Sequence, residues 1–377
     1  MLTTLHVQRL LQWQKGAMDS WGSTWAKIVN PPESSASPWP NQKVNVRWWT
    51  DDIDAAYAYA GYQGGVEFVR RMAPTWAARA YAAAYSLGNE LDVNDLVRLE
   101  ALIGYWRGAM DEANRRGIKL VILESSEASP HGGDPYSEAT RVDKCKRMVP
   151  AIRQAVEQGH YVGMHAYWRP GVEGPTGTFH ALGHVAFTAK VWGDNGVDLD
   201  RLQLLVTETG IDGGIAGHTM RQGWRDLTTL DAYAGEIAQG ELYARGLRYI
   251  KAMMLFTAGY ESPWSQFNLT ESDCGVIGAR LASVAAPLVP DESLEEQIVV
   301  AAQRHIIPRT PGWALYEAGK ARGYMEASPE FDMGEWRCQA FRQPGVERWQ
   351  YIGYCRVGDW GNVSWVTVDN QTHEIMG

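Results

Sequence analysis

"DLVRLEALIGYWRGAMDEANRRGIKLVILES", residues 95–125, holds one repeat of an architecture: a helix that ends in glycine and a strand that follows at once. Leu99, Leu102, Ile103, Trp106, Met110 and Ala113 recur at i, i+3 and i+4 spacing, which draws one apolar stripe down a helix closed by Gly117. Asn94 or Asp95 supplies the cap at its start. "IKLVILES" (118–125) is then apolar through its middle without alternation, the pattern of a strand covered on both faces.

The same unit recurs along the chain. "RVDKCKRMVPAIRQAVEQG" (141–159) carries a second stripe in Cys145, Met148, Val149, Ile152 and Val156, with Pro150 marking a kink or a late start. "DAYAGEIAQGELYARGLRY" (231–249) is a weaker third. Strands are predicted at 5–10, 25–30, 44–49, 79–87, 118–125, 160–168, 202–209 and 250–257. Eight buried strands alternating with helical patterns give an α/β fold, a parallel TIM (β/α)8 barrel. An open doubly wound sheet competes, but it needs a glycine-rich turn after its first strand, and "QRLLQWQKG" (8–16) is not one.

Past residue 258 the pattern changes. Residues 258–293 read as a long connection, followed by two helices, "LEEQIVVAAQRHI" (294–306) and "GWALYEAGKARGY" (312–324), that close the barrel. The remainder alternates and breaks at Pro344-Gly345 and Gly358–Gly361, as hairpins do. The expected organisation is a barrel over 1–327 and a small β-rich appendage over 328–377. Cys338 and Cys355 flank the first hairpin and can pair in an oxidising compartment; Cys145 and Cys274 read as free thiols.

A net charge of -9 without a Lys/Arg cluster argues against a nucleic-acid partner. No apolar run reaches the roughly 20 residues of a membrane helix, and "MLTTLHVQRLLQWQKG" (1–16) lacks the marks of a signal peptide. The compartment stays open, release to act on extracellular polysaccharide included, as does the oligomeric state. The chain has 17 Trp and 17 Tyr against 7 Phe. That excess suits stacking on sugar rings and suits an aromatic core equally.

In a parallel barrel the chemistry lies at the C-terminal ends of the strands. Those ends here carry Lys27, Arg47, Asn89-Glu90, Glu124, His165, Tyr167, Trp168 and Glu208. Glu90 and Glu208 stand out, because each directly follows an apolar run, in "AYSLGNE" and "LLVTETG". Strands 4 and 7 face each other across the barrel. Glycoside cleavage needs such a pair: one carboxyl to protonate the leaving oxygen, one ionised to attack or to activate water. The two should lie about 5–5.5 Å apart for retention, or roughly 6.5–9.5 Å for inversion.

On these residues the chain resembles the (β/α)8-barrel glycoside hydrolase superfamily with acid/base and nucleophile glutamates on strands 4 and 7. The resemblance covers roughly residues 5–325. It implies Glu90 as acid/base, Asn89 as donor to the sugar 2-hydroxyl and Glu208 as nucleophile. Tyr167 in "HAYW" (165–168) is then the aromatic that hydrogen-bonds the nucleophile, with His165 beside it. The chain departs from the family where Lys27 stands at the second strand in place of an Arg, with Arg47 a strand later. It departs again where Phe256, followed by Trp264, stands in place of a strand-8 Trp. Trp168, Trp264 and Trp48 or Trp49 are the candidate sugar platforms; Glu124 and Arg47 are candidate substrate contacts, and Glu127 is a loop acid. The implied activity is retaining hydrolysis of a poly- or oligosaccharide with no cofactor and no metal. The alternatives are a peptidoglycan muramidase or lysin, a non-catalytic carbohydrate-binding barrel, and a metal-dependent hydrolase using His165, His180 and His184. His180 and His184 have the i, i+4 spacing of metal ligands but lack the Glu that metalloproteases place after the first His.

Overall fold

Eight parallel strands close on themselves in sequence order, each hydrogen-bonded to the next and β8 back to β1. They are β1 (Thr3–Val7), β2 (Trp25–Val29), β3 (Lys43–Arg47), β4 (Ala84–Ser86), β5 (Leu120–Ser125), β6 (Tyr161–Trp168), β7 (Leu204–Ile211) and β8 (Ile250–Ala258). The structure is a computed structural model. It describes residues 1–48, 56–126, 138–172, 177–213, 222–259, 263–285, 322, 325–326, 331–333, 336–343, 346–356, 363–369 and 375–376. The chain divides into two compact units, Met1–Val284 and Ala285–Gly377.

All eight predicted strands are present, with shifted ends. The fourth is the shortest. Arg79–Ala82 form a turn, closed by the Ala82 N–H on the Arg79 carbonyl, so only Ala84–Ser86 join the sheet. Side chains pointing out of the barrel meet a ring of helices: α1 (Gln12–Trp21), α2 (Gly61–Ala77), α3 (Leu96–Arg115), α4 (Glu138–Gln158), α5 (Thr178–Asp194), α6 (Trp224–Leu227), α7 (Leu230–Arg245) and α8 (Glu271–Ala285). In α3 the predicted stripe Leu99, Leu102, Ile103, Trp106, Met110 and Ala113 is buried. Asp95 caps the helix by accepting from the Arg98 N–H at 2.8 Å, and Gly117 ends it in the left-handed region at φ 68. Pro150 lies inside α4 rather than at its start.

Residues 258–293, read as a connection, contain more order than that. A single 3-10 turn at Ser265–Phe267 precedes α8, in which Cys274, Ile277 and Leu281 are buried. The reading failed because "ESDCGVIGARLASVA" mixes glycine and serine into its apolar stripe. The helices predicted at 294–306 and 312–324 lie outside the described residues.

The second unit holds an antiparallel sheet. Its strands are β9 (Met325–Glu326), β10 (Phe331–Met333), β11 (Trp336–Gln343), β12 (Val346–Arg356), β13 (Ser364–Asp369) and β14 (Ile375–Met376). The order is β10-β11-β12-β13-β14, with β9 beside β11. Among the described residues its buried hydrophobic side chains are Cys338, Ala340, Phe341, Ile352, Val366 and Val368. The register sets Cys338 opposite Tyr354 and Cys355 opposite Arg337.

Candidate active site

Pairing across β1, β2 and β3 sets His6, Lys27 and Asn45 side by side, and pairing of β6 with β7 sets His165 beside Glu208. Around this level the ladder slips repeatedly. Leu123 pairs with Gly163 and Ser125 with Met164, so Glu124 is an extra residue in β5. Thr207 is extra in β7 against β6, and Thr257 in β8 against β1. A bulge re-aims the side chains around it, and here it brings polar residues of buried strands into the lumen.

The centre is Glu208, 6 % exposed. Its Oε1 accepts from Arg47 Nη1 at 2.9 Å and from Lys27 Nζ at 3.3 Å, and His6 Nδ1 lies 3.7 Å away. Its Oε2 accepts from the Tyr167 hydroxyl at 2.8 Å. Burial alone would push the Glu208 carboxyl up. His165, Lys27 and Arg47 outweigh it and hold the group well below the usual carboxylate range, so Glu208 is ionised at neutral pH. Burial, then the charges of Glu208 and Glu90, push Tyr167 well above the usual phenol range, so its hydroxyl remains a donor. Burial and the Lys27 charge hold His6 well below the usual imidazole range, so its ring is neutral.

Glu124 joins the same cluster. Lys27 Nζ stands 3.1 Å from its Oε1, and both side chains are fully enclosed. Glu90 lies at the edge, with its side chain 41 % exposed, and its Oε1 is 2.9 Å from His165 Nδ1. The same nitrogen is 3.7 Å from Glu208 Oε2. The Glu90 N–H donates to the Glu124 carbonyl at 3.0 Å, which ties the end of β4 to the bulge of β5. Glu90 (φ 48), Leu123 (φ 77) and Glu124 (φ 40) all occupy the left-handed region, which side chains other than glycine rarely adopt. Strain of this kind gathers where function holds it. Asn89 is half-buried beside Glu90, and its Oδ1 is enclosed without a protein partner.

The aromatic candidates separate. Trp264 is half-buried and packs edge-on against Phe256 (5.8 Å) and Phe267 (5.7 Å); Tyr167 meets Phe256 at 6.1 Å, so the four form one wall beside Glu208. Trp168 is turned into the packing instead. It is 2 % exposed, and its indole N–H donates to Glu236 at 2.7 Å. Trp48 stacks on Tyr85 and under the Arg79 guanidinium; Trp49 and Glu127 lie outside the described residues. His180 and His184 face each other, Nε2 to Nε2 at 2.7 Å. Among the described residues no group of three or more His, Cys, Asp or Glu side chains is placed to hold a metal ion, and no helix is long and apolar enough to cross a membrane.

The residues that sequence reading passed over are His6 and Asn45. Each is a polar residue flanked on both sides by apolar ones (Leu5 and Val7, Val44 and Val46) within a short strand, and that was the available signal.

No family model matches the chain, and no curated protein does. Among solved structures it is similar to a GH128 (subgroup I) endo-β-1,3-glucanase from Amycolatopsis mediterranei in complex with laminaritriose, at 13% identity over 74% of this chain and 100% of that one, TM-score 0.44. It is also similar to a family 39 glycoside hydrolase from Bacteroides cellulosilyticus WH2 (14% identity, 100% of this chain, 78% of that one, TM-score 0.46). A third is a GH30 endoxylanase from Clostridium papyrosolvens C71 (10% identity, 94% of this chain, 80% of that one, TM-score 0.40). The site is therefore read from its own geometry.

Proposed function

We propose that the chain is a glycoside hydrolase that cleaves O-glycosidic bonds of a poly- or oligosaccharide with retention, Glu208 attacking and Glu90 serving as acid and then base. The observation that carries the reading is the position of His165 between two unlike carboxylates. Laid end to end, its 2.9 Å to Glu90 and 3.7 Å to Glu208 cap the separation of those oxygens. The cap falls near the lower edge of the roughly 6.5–9.5 Å of inverting pairs, which favours the shorter retaining spacing of about 5–5.5 Å. The environments divide the roles: Glu208 is enclosed and held ionised, while Glu90 is open to the leaving group and to solvent.

In the first step Glu208 Oε2 bonds to the anomeric carbon while Arg47 and Lys27 hold Oε1. The bond to the leaving oxygen breaks, and that oxygen takes the proton from Glu90. In the second step a water oxygen bonds to the same carbon, its proton returns to Glu90, and Glu208 leaves as a carboxylate. Asn89 donates to the sugar 2-hydroxyl, and Trp264 offers a flat face for the ring. The test is release of reducing ends from a panel of β-1,3-glucan, xylan and peptidoglycan, with Glu208→Ala as the comparison. Release abolished in Glu208→Ala supports the reading. Release from peptidoglycan alone identifies a muramidase, and binding with no release identifies a non-catalytic carbohydrate module.

A further inference from the structure

Glu124 is a third carboxylate at the site, itself enclosed, that this two-carboxylate mechanism does not use. Its placement is built. It is the extra residue of the β5 bulge, and it and Leu123 both take positive φ. The facing residue on β6 is Gly163, where a Cβ would lie 2.5 Å from Glu124 Cγ. Only glycine leaves room for that side chain.

The charge arrangement says what the room is for. Oε1 of Glu208 accepts from two cations, Arg47 and Lys27, and the second is shared with Glu124 at nearly the same distance. Two enclosed cations thus face two enclosed carboxylates, as an interior of low polarity demands. Without Glu124 the Lys27 ammonium would bear on Glu208 undivided and weaken it as a nucleophile.

We infer that Glu124 is a positioning residue: its charge holds the Lys27 ammonium between the two carboxylates and so sets how strongly Glu208 attacks. The inference rests on the reading of Glu208 as nucleophile. The charged and titratable groups that face Glu208 are Lys27 from β2, Arg47 from β3, His6 from β1, and His165 and Tyr167 from β6, with Glu90 beyond His165. On its other side β8 brings only uncharged residues to this level, Met253 and Leu255.

The test reads the Glu208 carboxyl by 13C NMR in glutamate-labelled protein, assigned by the resonance missing from Glu208→Gln. Arg47→Gln removes a neighbouring cation, keeps Lys27 and raises the Glu208 midpoint into the accessible range. Adding Glu124→Gln to that variant leaves the Lys27 ammonium to Glu208, so the midpoint falls again, by on the order of one pH unit. Glu124→Asp, which keeps the charge, recovers most of the Arg47→Gln midpoint. Tyr167→Phe provides a second background if Arg47→Gln does not fold. A midpoint unmoved by Glu124→Gln in both backgrounds overturns the inference. In the same variants the acid limb of kcat/KM follows the midpoint, and an acid limb that stays fixed while the midpoint moves overturns it as well. If the wild type releases no sugar from any substrate, the glycosidase reading fails, while the NMR shift still reports whether Glu124 acts on Glu208.

Discussion

Loss of the Glu208 carboxylate and loss of the Glu90 carboxylate differ in which substrates they spare. On the proposed mechanism, Glu208→Ala removes the group that would form the glycosyl-enzyme, so every substrate should lose turnover alike. On the same mechanism Glu90→Ala removes the proton donor, whose help is typically worth about 10²–10⁴-fold and matters most for a poor leaving group. An activated aryl glycoside should therefore survive the Glu90 change far better than a natural polymer. Azide should then restore turnover and leave as a glycosyl azide, detectable by mass spectrometry; full polymer activity in Glu90→Ala would remove Glu90 from the mechanism. The two tryptophans should part in the same way. Trp264→Ala should raise KM with little loss of stability, whereas Trp168→Ala should lower stability by about 3–5 kcal/mol, because it opens a cavity and leaves Glu236 Oε2 without its donor. Calorimetry beside steady-state kinetics separates them. The placement of Glu208 and Glu90 on either side of His165 was legible because each closely follows an apolar run. Trp168 was misleading, since a tryptophan at a strand end reads the same whether it faces the lumen or the helices. His6 was passed over because it lies within its strand and not at the end, and Glu124 was read as a substrate contact and not as a partner of Lys27 because a bulge leaves no mark in the residue pattern.

Among the elements, α2 and α3 pack with their backbones in contact, and glycine permits it. A Cβ at Gly65 would lie 2.0 Å from the Tyr105 carbonyl oxygen, and one at Gly108 would lie 2.0 Å from that of Tyr62. In an exposed helix interior Gly→Ala gains about 1 kcal/mol. Here the added methyl meets backbone, so Gly65→Ala and Gly108→Ala should each lose about 1–3 kcal/mol. Because one clash already separates the helices, the double variant should lose less than the sum. Denaturant unfolding would show this, with kcat unchanged at permissive temperature. An alanine that stabilises would mean that the two backbones are not in contact. The strands were legible because covered strands keep an apolar run. α2 was not: "GYQGGVEFVRRMAPTWA" hides its stripe of Val69, Met72 and Trp76 behind the glycines that the packing requires. The start of β4 was blurred because alanine and tyrosine in "RAYAAAYSL" (79–87) serve a turn as readily as a strand.

For the molecule as a whole, acid stability should be set first by histidines and only later by carboxylates. Burial, with help from Lys119, pushes His160 down to about 4, and its Nδ1 accepts the Leu120 N–H at 3.2 Å, a bond that protonation removes. Burial and Lys27 hold His6 well below its usual range, and burial with Arg141 pushes His184 down to about 3. The unfolded chain takes up these protons near pH 6.5 and the folded chain does not. Stability from these groups is therefore complete above about pH 6.5 and falls as pH drops toward the folded values. Each fully enclosed histidine contributes a slope on the order of 1.4 kcal/mol per pH unit, so His160 accounts for roughly 3 kcal/mol by pH 4. Glu208 follows a lower window. Its contribution is complete above the unfolded carboxylate value near 4.3 and is lost only as pH falls below that toward its depressed folded value. Urea midpoints measured from pH 8 to pH 4 should stay level to about 6.5 and then decline. His160→Asn, whose Oδ1 can still accept from Leu120, should remove about one proton's worth of that slope, while Glu208→Gln should leave the slope between pH 6.5 and 5 unchanged. A slope in that window that His160→Asn does not reduce, or that Glu208→Gln does, would reverse the order of the two classes.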